Sequence, residues 1–366
     1  MGIFTHNNVT NITLGSIRYK NNSMVNAFRN CSNFNKPVNI PYGTTNIQNV
    51  FSSCNNFNQP VTLPNSLLDT SRAFYQVNKF NHPITIPNNV INTYQTFYWA
   101  NNFNSQVTLS DGLETIYGLF GSAIVFNQPI TIPNSVTNMS CCFLSATNFN
   151  QPITIPNSVT NMHQTFCYAY NFNQPIIIPN SVTNMYRTFF QANNFNQPVI
   201  ISDSVLTTGQ CFSGINNFNS TVVIGNNVTN AIQMFSSCFM LNKTITMGNN
   251  VTNLASMFDG CKNFNQPITI SKNATVLSHM FNNCVNYNSN ITVLSSNVAY
   301  VWNMFKGKYN NKRVNIFVPA NSTTNNTFKS AVVGTSVVGT GISWTNNTSN
   351  NCFYNSAYNI YVYYTL

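Results

Sequence analysis

Short segments in which apolar and polar residues alternate recur along this chain at a spacing of 23 residues. In the copy Ile130-Thr131-Ile132 the two isoleucines fall on one face, which is the period of a half-buried strand. Pro129 and Pro133 bracket this copy. Because proline has no N–H to give to a β-ladder, we expect strands of about three to five residues. Stacked copies then predict one short parallel β-strand per 23-residue coil.

Phenylalanine and asparagine columns share that spacing. Phe recurs without a slip from Phe28 to Phe281, and Asn recurs from Asn35 to Asn288 beside a second Phe column. A fixed short period is typical of a solenoid, in which each coil buries its apolar face on its neighbours. The predicted ladder residues are Phe143, Phe166, Phe189, Asn127, Asn150, Asn173 and Asn196.

The invariance of the Asn column favours a structural role, because a binding surface would vary between coils. We interpret the amides as partners of turn backbone groups hidden from water, so that Asn150→Leu is expected to cost about 1 to 3 kcal/mol. A glycan-binding or ice-binding array is the alternative. After each strand the Met-x-x-Thr-Phe stretch predicts turns, or a short helical or 3₁₀ segment, on the opposite wall.

The repeat divides the chain into three predicted parts. Residues 1–19 form an N-terminal cap, residues 20–316 a solenoid of about twelve coils, and residues 317–366 a β-rich C-terminal cap or attachment segment. The Tyr-rich ending, residues 358–364, predicts a strand that augments a sheet of another protein.

Composition limits the partners. Only 5% of the residues are charged, and the net charge is +10. The one dense basic group, Lys306, Lys308, Lys312 and Arg313, is expected to be a solvated end that protects an open sheet edge. Since phosphate binding needs clustered cations, we expect no nucleic acid partner. The N-terminus shows no secretory signal and no stretch approaches the length of a membrane span, which predicts no membrane insertion.

Five cysteines occupy a slot that holds alanine in the middle repeats, where cysteine acts as a small apolar filler. These are Cys31, Cys54, Cys238, Cys261 and Cys284. The chain has no Cys-x-x-Cys pair, so we predict neither a metal site nor a disulfide, and no cofactor. Free thiols predict assembly in a reducing compartment.

The unit Ile-Thr-Ile-Pro-Asn-Ser-Val-Thr-Asn-Met, followed by Thr-Phe and then Ala or Cys, resembles the BspA-like leucine-rich repeat. The resemblance covers residues 20–316 and implies a leucine-rich-repeat-like solenoid. It also implies extracellular adhesion or recognition, although similar repeats are found in phage and large-virus proteins. Two departures stand out, because Asn-Met replaces the usual Ile-Gly and no secretion signal precedes the repeats.

The sequence contains few residues of the types that carry out catalysis. Acid-base chemistry needs convergent carboxylates or a poised histidine, and the chain has 5 Asp and Glu and 4 His in all. No Walker loop, dinucleotide fingerprint, nucleophile elbow or zinc motif is present. We therefore predict a protein that is not an enzyme and has no catalytic residues.

Recognition has better support, because aromatic residues with arginine are typical interface anchors. The slots beside the Phe column carry Tyr75, Tyr94, Tyr98, Trp99, Tyr117, His163, Tyr168, Tyr170, Tyr186, Arg187 and Phe190. The alternative is that some of them pack between turns as ordinary wall residues. On the outward strand face, a threonine column gives way to Ile177, Ile200 and Val223, an apolar strip that predicts a protein contact.

The leading hypothesis is a virion component of a bacteriophage, assembled in the host cytoplasm. The predicted partners are other virion proteins or a host-surface ligand, either protein or glycan, and a homotrimer is a further possibility. A bacterial cell-surface adhesin of the same repeat family is the first alternative. A purely structural spacer is the second.

Overall fold

The computed structural model describes residues 22–307, 313–320, 323–324, 326–328, 345–347, 352–355 and 360–365. The chain divides into two compact units, Met1–Ser181 (unit 1) and Val182–Leu366 (unit 2). The predicted N-terminal cap, residues 1–19, lies outside the described residues, as do Lys308 and Lys312 of the basic group.

Parallel pairing between successive coils confirms the solenoid. In unit 1 one bridge position recurs every 23 residues from Ser23 to Asn161, and in unit 2 the same position recurs from Asn184 to Val276 and then, one residue late, at Tyr300. The named strands of unit 1 are β1 (Ile84–Thr85) and β2 (Val107–Thr108), which pair in parallel.

Unit 2 contains two sheets. The first has the order β3-β4-β5, with β3 (Val199–Ile200), β4 (Val222–Val223) and β5 (Ile245–Thr246). The second has the order β6-β7-β8-β11-β10-β9. Its strands are β6 (Ile268–Ile270), β7 (Ile291–Val293), β8 (Val314–Pro319), β9 (Thr345–Asn347), β10 (Cys352–Asn355) and β11 (Ile360–Thr365).

Proline decides where the strand ladder is made. In strands that pair with the preceding coil, the residue just before the strand is not proline but Gln106, Thr221, Thr244 or Asn290. The carbonyl of Gln106 accepts the backbone N–H of Ile84 in the preceding coil at 3.0 Å, and those of Thr221 and Asn290 accept in the same way. Where proline takes that place, as at Pro267 between β5 and β6, the strands do not pair. Proline fixes φ near −65°, whereas a parallel strand needs about −120°, so proline in this place departs from the backbone geometry of the ladder. Strands β1 to β5, with two residues each, are shorter than the three to five predicted, whereas β6 and β7, with three each, fall within that range.

The core consists of stacked phenylalanines. Phe97 and Phe103 stack within one coil at 4.3 Å between ring centroids, and Phe97 stacks on Phe120 of the next coil at 5.8 Å. Each of these rings is fully buried. The same pattern is repeated along both units, since fixed aromatic columns are the way in which identical coils exclude water from one another.

The wall opposite the strands is made of turns, and the helical alternative is wrong. Around Phe97, the N–H groups of Gln95, Phe97 and Trp99 donate to carbonyls of the next coil at 2.8 to 3.0 Å. The N–H groups between them donate three residues back within the same coil. Because a 3₁₀ helix uses every N–H internally, this alternation excludes one.

The C-terminal segment continues the sheet. Strand β11 pairs in parallel with β8 on one side and antiparallel with β10 on the other. The prediction that the Tyr-rich last strand augments another protein's sheet is therefore wrong, because both of its edges are already paired. Lys306 and Arg313 are exposed, as predicted for a solvated end. Arg313 protects no open edge, however, since it precedes β8, which is paired on both sides, and its guanidinium lies 3.8 Å from the ring centroid of Tyr361.

Candidate recognition surface

The turn wall, defined as the stacked copies of the segment Tyr94–Ala100, presents its side chains in pairs. Gln95 and Trp99 have left-handed backbone conformations, with φ of 54° and 60°. Because the backbone direction changes at these left-handed residues, the side chains of Tyr94 and Gln95 point outward and those of Thr96 and Phe97 inward. The side chains of Tyr98 and Trp99 then point outward again. Side chains on the same outward column of neighbouring coils therefore stand next to one another.

Five of the predicted aromatic residues meet in unit 1. Tyr94 stacks on Tyr117 at 5.0 Å between centroids, and Tyr75 stacks on Tyr98 at 6.0 Å. Trp99 makes edge contacts with Tyr75 at 5.5 Å and with Tyr98 at 5.1 Å. The tyrosines are half-buried, whereas Trp99 is 41% exposed. The rings thus pack on one another and still present a surface to solvent.

Arg72 joins the two halves of this cluster. Its guanidinium carbon lies 5.4 Å from the ring centroid of Tyr75 and 5.2 Å from that of Tyr94. Its Nε–H donates to Oε1 of Gln95 at 2.9 Å. The guanidinium is held between two aromatic rings in a fixed orientation, an arrangement we call the Arg72 clamp.

Unit 2 repeats this arrangement at the equivalent position of its own turn wall. The guanidinium carbon of Arg187 lies 5.3 Å from the ring centroid of Tyr186 and 5.0 Å from that of Phe190. Its Nε–H donates to Oε1 of Gln210, which also accepts from the hydroxyl of Tyr186 at 3.3 Å. We call this the Arg187 clamp.

Glycine and cysteine in the adjacent coils support the rings. A Cβ on Gly121 would lie 2.3 Å from Cε2 of Tyr98, so the absence of a side chain there makes room for the ring. Burial raises the pKa of the Tyr98 hydroxyl above its ordinary value. A hydrogen bond to the Cys141 thiol, together with burial, raises the pKa of Tyr117.

Of the other predicted contact residues, His163 and Tyr168 lie on the turn wall, and Tyr170 follows it, in the slot of Asn101. His163 is half-buried, and its backbone N–H donates to Oδ1 of Asn161 at 3.0 Å. Tyr168 and Tyr170 make an edge contact at 6.2 Å, and Tyr170 is 40% exposed.

The apolar strip is exposed in both units. Ile177 in unit 1 is 86% exposed. In unit 2, Ile200 and Val223 are partners in the β3–β4 register and are 72% and 40% exposed. Each unit therefore presents apolar side chains to solvent at these positions.

The Asn column forms a hydrogen-bonded ladder. Oδ1 of Asn127 accepts the backbone N–H of Asn150 at 2.9 Å, and Oδ1 of Asn150 accepts that of Asn173 at 2.9 Å. In unit 2 Asn196 accepts from Asn219 in the same way at 2.8 Å. These asparagines are half-buried or exposed, so the backbone groups are less hidden from water than the sequence suggested. Phe143, Phe166 and Phe189 are fully buried.

Several carboxylates also serve the backbone. Asp69 accepts the N–H of Ser71 at 2.7 Å, and Asp203 accepts that of Asn226 at 2.6 Å. Asp259 accepts from the side-chain amide of Asn282 at 2.9 Å, and burial raises its pKa. Within the described residues, no three His, Cys, Asp or Glu side chains converge on a possible metal position.

A shallow groove of about 540 Å³ opens on the strand face of unit 1. Pro129, Pro133, Pro152 and Pro156 line it together with Asp111. It follows the coils in which proline interrupts the ladder, and Asp111 is the one charged residue in its lining. A single carboxylate without a partner group offers no arrangement for acid-base chemistry.

Arg72, Gln95, Gln210 and Cys141 belong to this surface but were not predicted from the sequence. The available signal was the column itself, because Arg72 and Arg187 occupy the same slot two residues before a core phenylalanine, five repeats apart. That slot is also the left-handed position, with φ of 52° at Arg72 and 55° at Arg187.

Short parallel strands, turn walls and stacked phenylalanines define a β-solenoid of the leucine-rich-repeat class. The family model described as "Mycoplasma protein of unknown function, DUF285" matches residues 3–110, 68–177, 114–224, 154–247 and 207–317. The chain belongs to this family, whose repeats are of the BspA-like leucine-rich type. No curated protein matches the chain.

Solved structures share the fold. A leucine-rich repeat protein from Bacteroides ovatus ATCC 8483 is 22% identical with a TM-score of 0.67, over 82% of this chain and 77% of that one. A leucine rich cell surface protein from Faecalibacterium prausnitzii A2-165 is 19% identical with a TM-score of 0.43, over 76% and 83%. The pneumococcal vaccine antigen PcpA is 10% identical with a TM-score of 0.35, over 77% and 78%. In the part of the chain that the structure describes, no helix is both long and apolar enough to cross a bilayer.

Proposed function

We propose that this protein is a non-enzymatic recognition protein displayed on a bacterial cell surface, and that its turn wall carries the contact. The observation that carries the proposal is the cluster of Tyr75, Tyr94, Tyr98 and Trp99 around Arg72. Tyr, Trp and Arg dominate the energy of protein interfaces, and rings that already pack on one another lose little entropy on binding.

The repeat family supports the surface location, since BspA-like members typically act in extracellular adhesion or recognition. The bacteriophage virion role stays a prediction. Mass spectrometry of purified virions and of bacterial envelopes separates the two locations. We expect the chain in envelopes, and its presence in virions alone would contradict the bacterial location.

Attachment of labelled protein to cells tests the recognition role. Trp99→Ser removes the most exposed ring of the unit 1 cluster and is expected to weaken attachment, with the fold checked by circular dichroism. Tyr42→Ser is the matched control, because Tyr42 is 91% exposed in unit 1 but lies outside the turn wall. Equal attachment of Trp99→Ser and the parent protein would favour a structural spacer.

A further inference from the structure

The two arginine clamps point to a ligand chemistry for the turn wall. Each guanidinium is covered by aromatic rings, and each has its Nε–H donated to a glutamine oxygen of the next coil. Arginine has five N–H donors, so the four on the two terminal nitrogens remain as an end-on fork. No ion pair recorded within the described residues involves Arg72 or Arg187, and both side chains are half-exposed.

We propose that each clamp binds a carboxylate carried by an acidic sugar, of uronic-acid or sialic-acid type. This inference deepens the proposed recognition role and rests on it. The end-on fork of a guanidinium matches the two oxygens of a carboxylate in a planar, bidentate pair. A guanidinium held in place by two rings and a glutamine loses little freedom when it forms that pair.

A carboxylate is favoured over phosphate because each clamp offers one cation. Phosphate sites usually combine several cations or backbone N–H groups, and nucleic acid binding needs clustered Lys and Arg. The net charge of +10 favours an anionic partner in general, since the field of the whole protein attracts opposite charge.

The surroundings of the clamps favour a sugar over an acidic peptide. Outward groups of the turn wall near the Arg72 clamp include neutral hydroxyls and amides, such as Ser53, whose hydroxyl donates to Oε1 of Gln76 at 3.0 Å. Such groups exchange hydrogen bonds with sugar hydroxyls and attract no second or third carboxylate. The half-exposed tyrosine rings provide apolar surface for the face of a sugar ring.

The recurrence of the clamp is the independent support. Arginine, two flanking rings and an accepting glutamine occur together in unit 1 and again in unit 2, with the rings supplied from different positions. In unit 1 one ring comes from the next coil, as Tyr94, whereas in unit 2 both rings, Tyr186 and Phe190, come from the coil of the arginine. The same chemistry is thus assembled from different residues.

Titration calorimetry on the full chain tests the inference with a hyaluronan tetrasaccharide, its carboxyl-reduced form, sialyllactose and lactose. We expect the acidic sugars to bind and the neutral forms to bind at least about tenfold more weakly, which corresponds to about 1.4 kcal/mol. The double variant R72Q/R187Q should lose the preference for acidic sugars. Arg29→Gln is the matched control, since Arg29 is an exposed arginine of unit 1 with no recorded ring contact.

The variant R72K/R187K separates the fork from the charge, because lysine keeps the cation but not the planar donors. We expect it to lose the preference too, and full retention would overturn the proposal. Tighter binding of an acidic peptide than of either acidic sugar would also overturn it. If no acidic sugar binds while Trp99→Ser still weakens cell attachment, this inference fails and the recognition role stands. If acidic sugars bind but Trp99→Ser attaches normally, carboxylate binding by the clamps stands, and the assignment of Trp99 to the cell-surface contact fails.

Discussion

Single residues in this chain are best understood by the column they occupy. Cysteine in the alanine slot fills space and also donates, since the Cys54 thiol reaches the carbonyl of Phe28 at 2.8 Å and that of Cys238 reaches Phe212 at 3.1 Å. Asparagine in its column links the backbone of neighbouring coils. The same residue type therefore repeats because the same neighbour repeats 23 residues away.

The Asn ladder predicts a local loss on substitution. Asn150→Ala removes the acceptor of the Asn173 N–H and of the Gln174 side-chain amide. Because Asn150 is half-buried, we now expect a cost of about 0.5 to 1.5 kcal/mol, at the low end of the sequence-based value. Hydrogen exchange of the Asn173 amide measures it. Asn157→Ala, an exposed asparagine outside the ladder, is the control, and equal protection of Asn173 in both variants would contradict the prediction.

Buried thiols predict a loss of stability at high pH. Burial raises the pKa of the Cys211 thiol to about 12. The unfolded thiol, with a pKa of about 8.5, loses its proton first, so stability is full below that pH and falls as the pH rises toward 12. The free energy of unfolding, measured by denaturant titration from about pH 8 to about pH 11, should decrease less steeply with pH for Cys211→Ala than for the parent protein. Tyrosine and lysine also titrate in this range, but they do so equally in both proteins. An equal decrease of the free energy of unfolding in the two proteins would therefore exclude a contribution from Cys211.

The close approach of Tyr98 to Gly121 predicts a steric clash when a side chain is added at Gly121. Gly121→Ala places a Cβ 2.3 Å from Cε2 of that ring, so the ring must shift and its stacking on Tyr75 must change. We expect a cost of about 1 to 3 kcal/mol, as for other overpacked sites, with a changed near-ultraviolet circular dichroism signal. In the double variant G121A/Y98A the added Cβ should cost much less, since the clashing ring is absent. An equal cost in both backgrounds would place the strain in the backbone.

At the scale of elements, proline before a strand and the parallel ladder exclude one another. β1 and β2 pair across Gln106, whereas β5 and β6 face each other across Pro267 without pairing. The coils of β5 and β6 nevertheless stack, because Phe258 stacks on Phe281 at 5.5 Å and the turn-wall hydrogen bonds between these coils are present. Strand pairing is thus a secondary source of cohesion between coils.

Pro267→Gln is expected to join β5 to β6, because glutamine in the same slot accepts the ladder bond at Gln106. The amide of Ile245 should then exchange more slowly with solvent. The reciprocal change, Gln106→Pro, should break the bond from Ile84 and speed the exchange of its amide. Unchanged exchange at Ile245 would show that the proline is not the cause of the gap.

The sequence predicted the elements that depend on period and missed those that depend on backbone handedness. The alternation of apolar and polar residues at Ile84-Thr85-Ile86 predicted which side chains of the strand point inward, and the Phe column that begins at Phe28 predicted the core. Turns on the wall opposite the strands were predicted, but their left-handed residues were not, because Trp99 and Arg72 are of types that rarely adopt positive φ. Their conformation is imposed by the hydrogen bonds to the next coil, which a single repeat does not reveal. The clamps depend on that handedness and were missed with it.

At the scale of the molecule, each coil contacts only its neighbours, which predicts that coils can be removed whole. Deleting residues 138–160 of unit 1 joins Thr137 to Asn161, which occupies the slot of Asn138. We expect the shortened chain to keep its circular dichroism spectrum per residue and to melt cooperatively. Deleting residues 138–149 shifts every column out of register and should abolish folding. Equal damage from both deletions would contradict nearest-neighbour stability.

The constant register of the ladders has a consequence for inheritance. The Phe and Asn ladders between neighbouring coils use the same slots, so an in-frame duplication of 23 codons supplies a coil together with its ladder partners. Such a gene can lengthen or shorten by unequal recombination without losing a foldable product. Outward slots such as those of Trp99 and Arg72 are then free to diverge from copy to copy, and a lineage can try new surfaces on an unchanged frame.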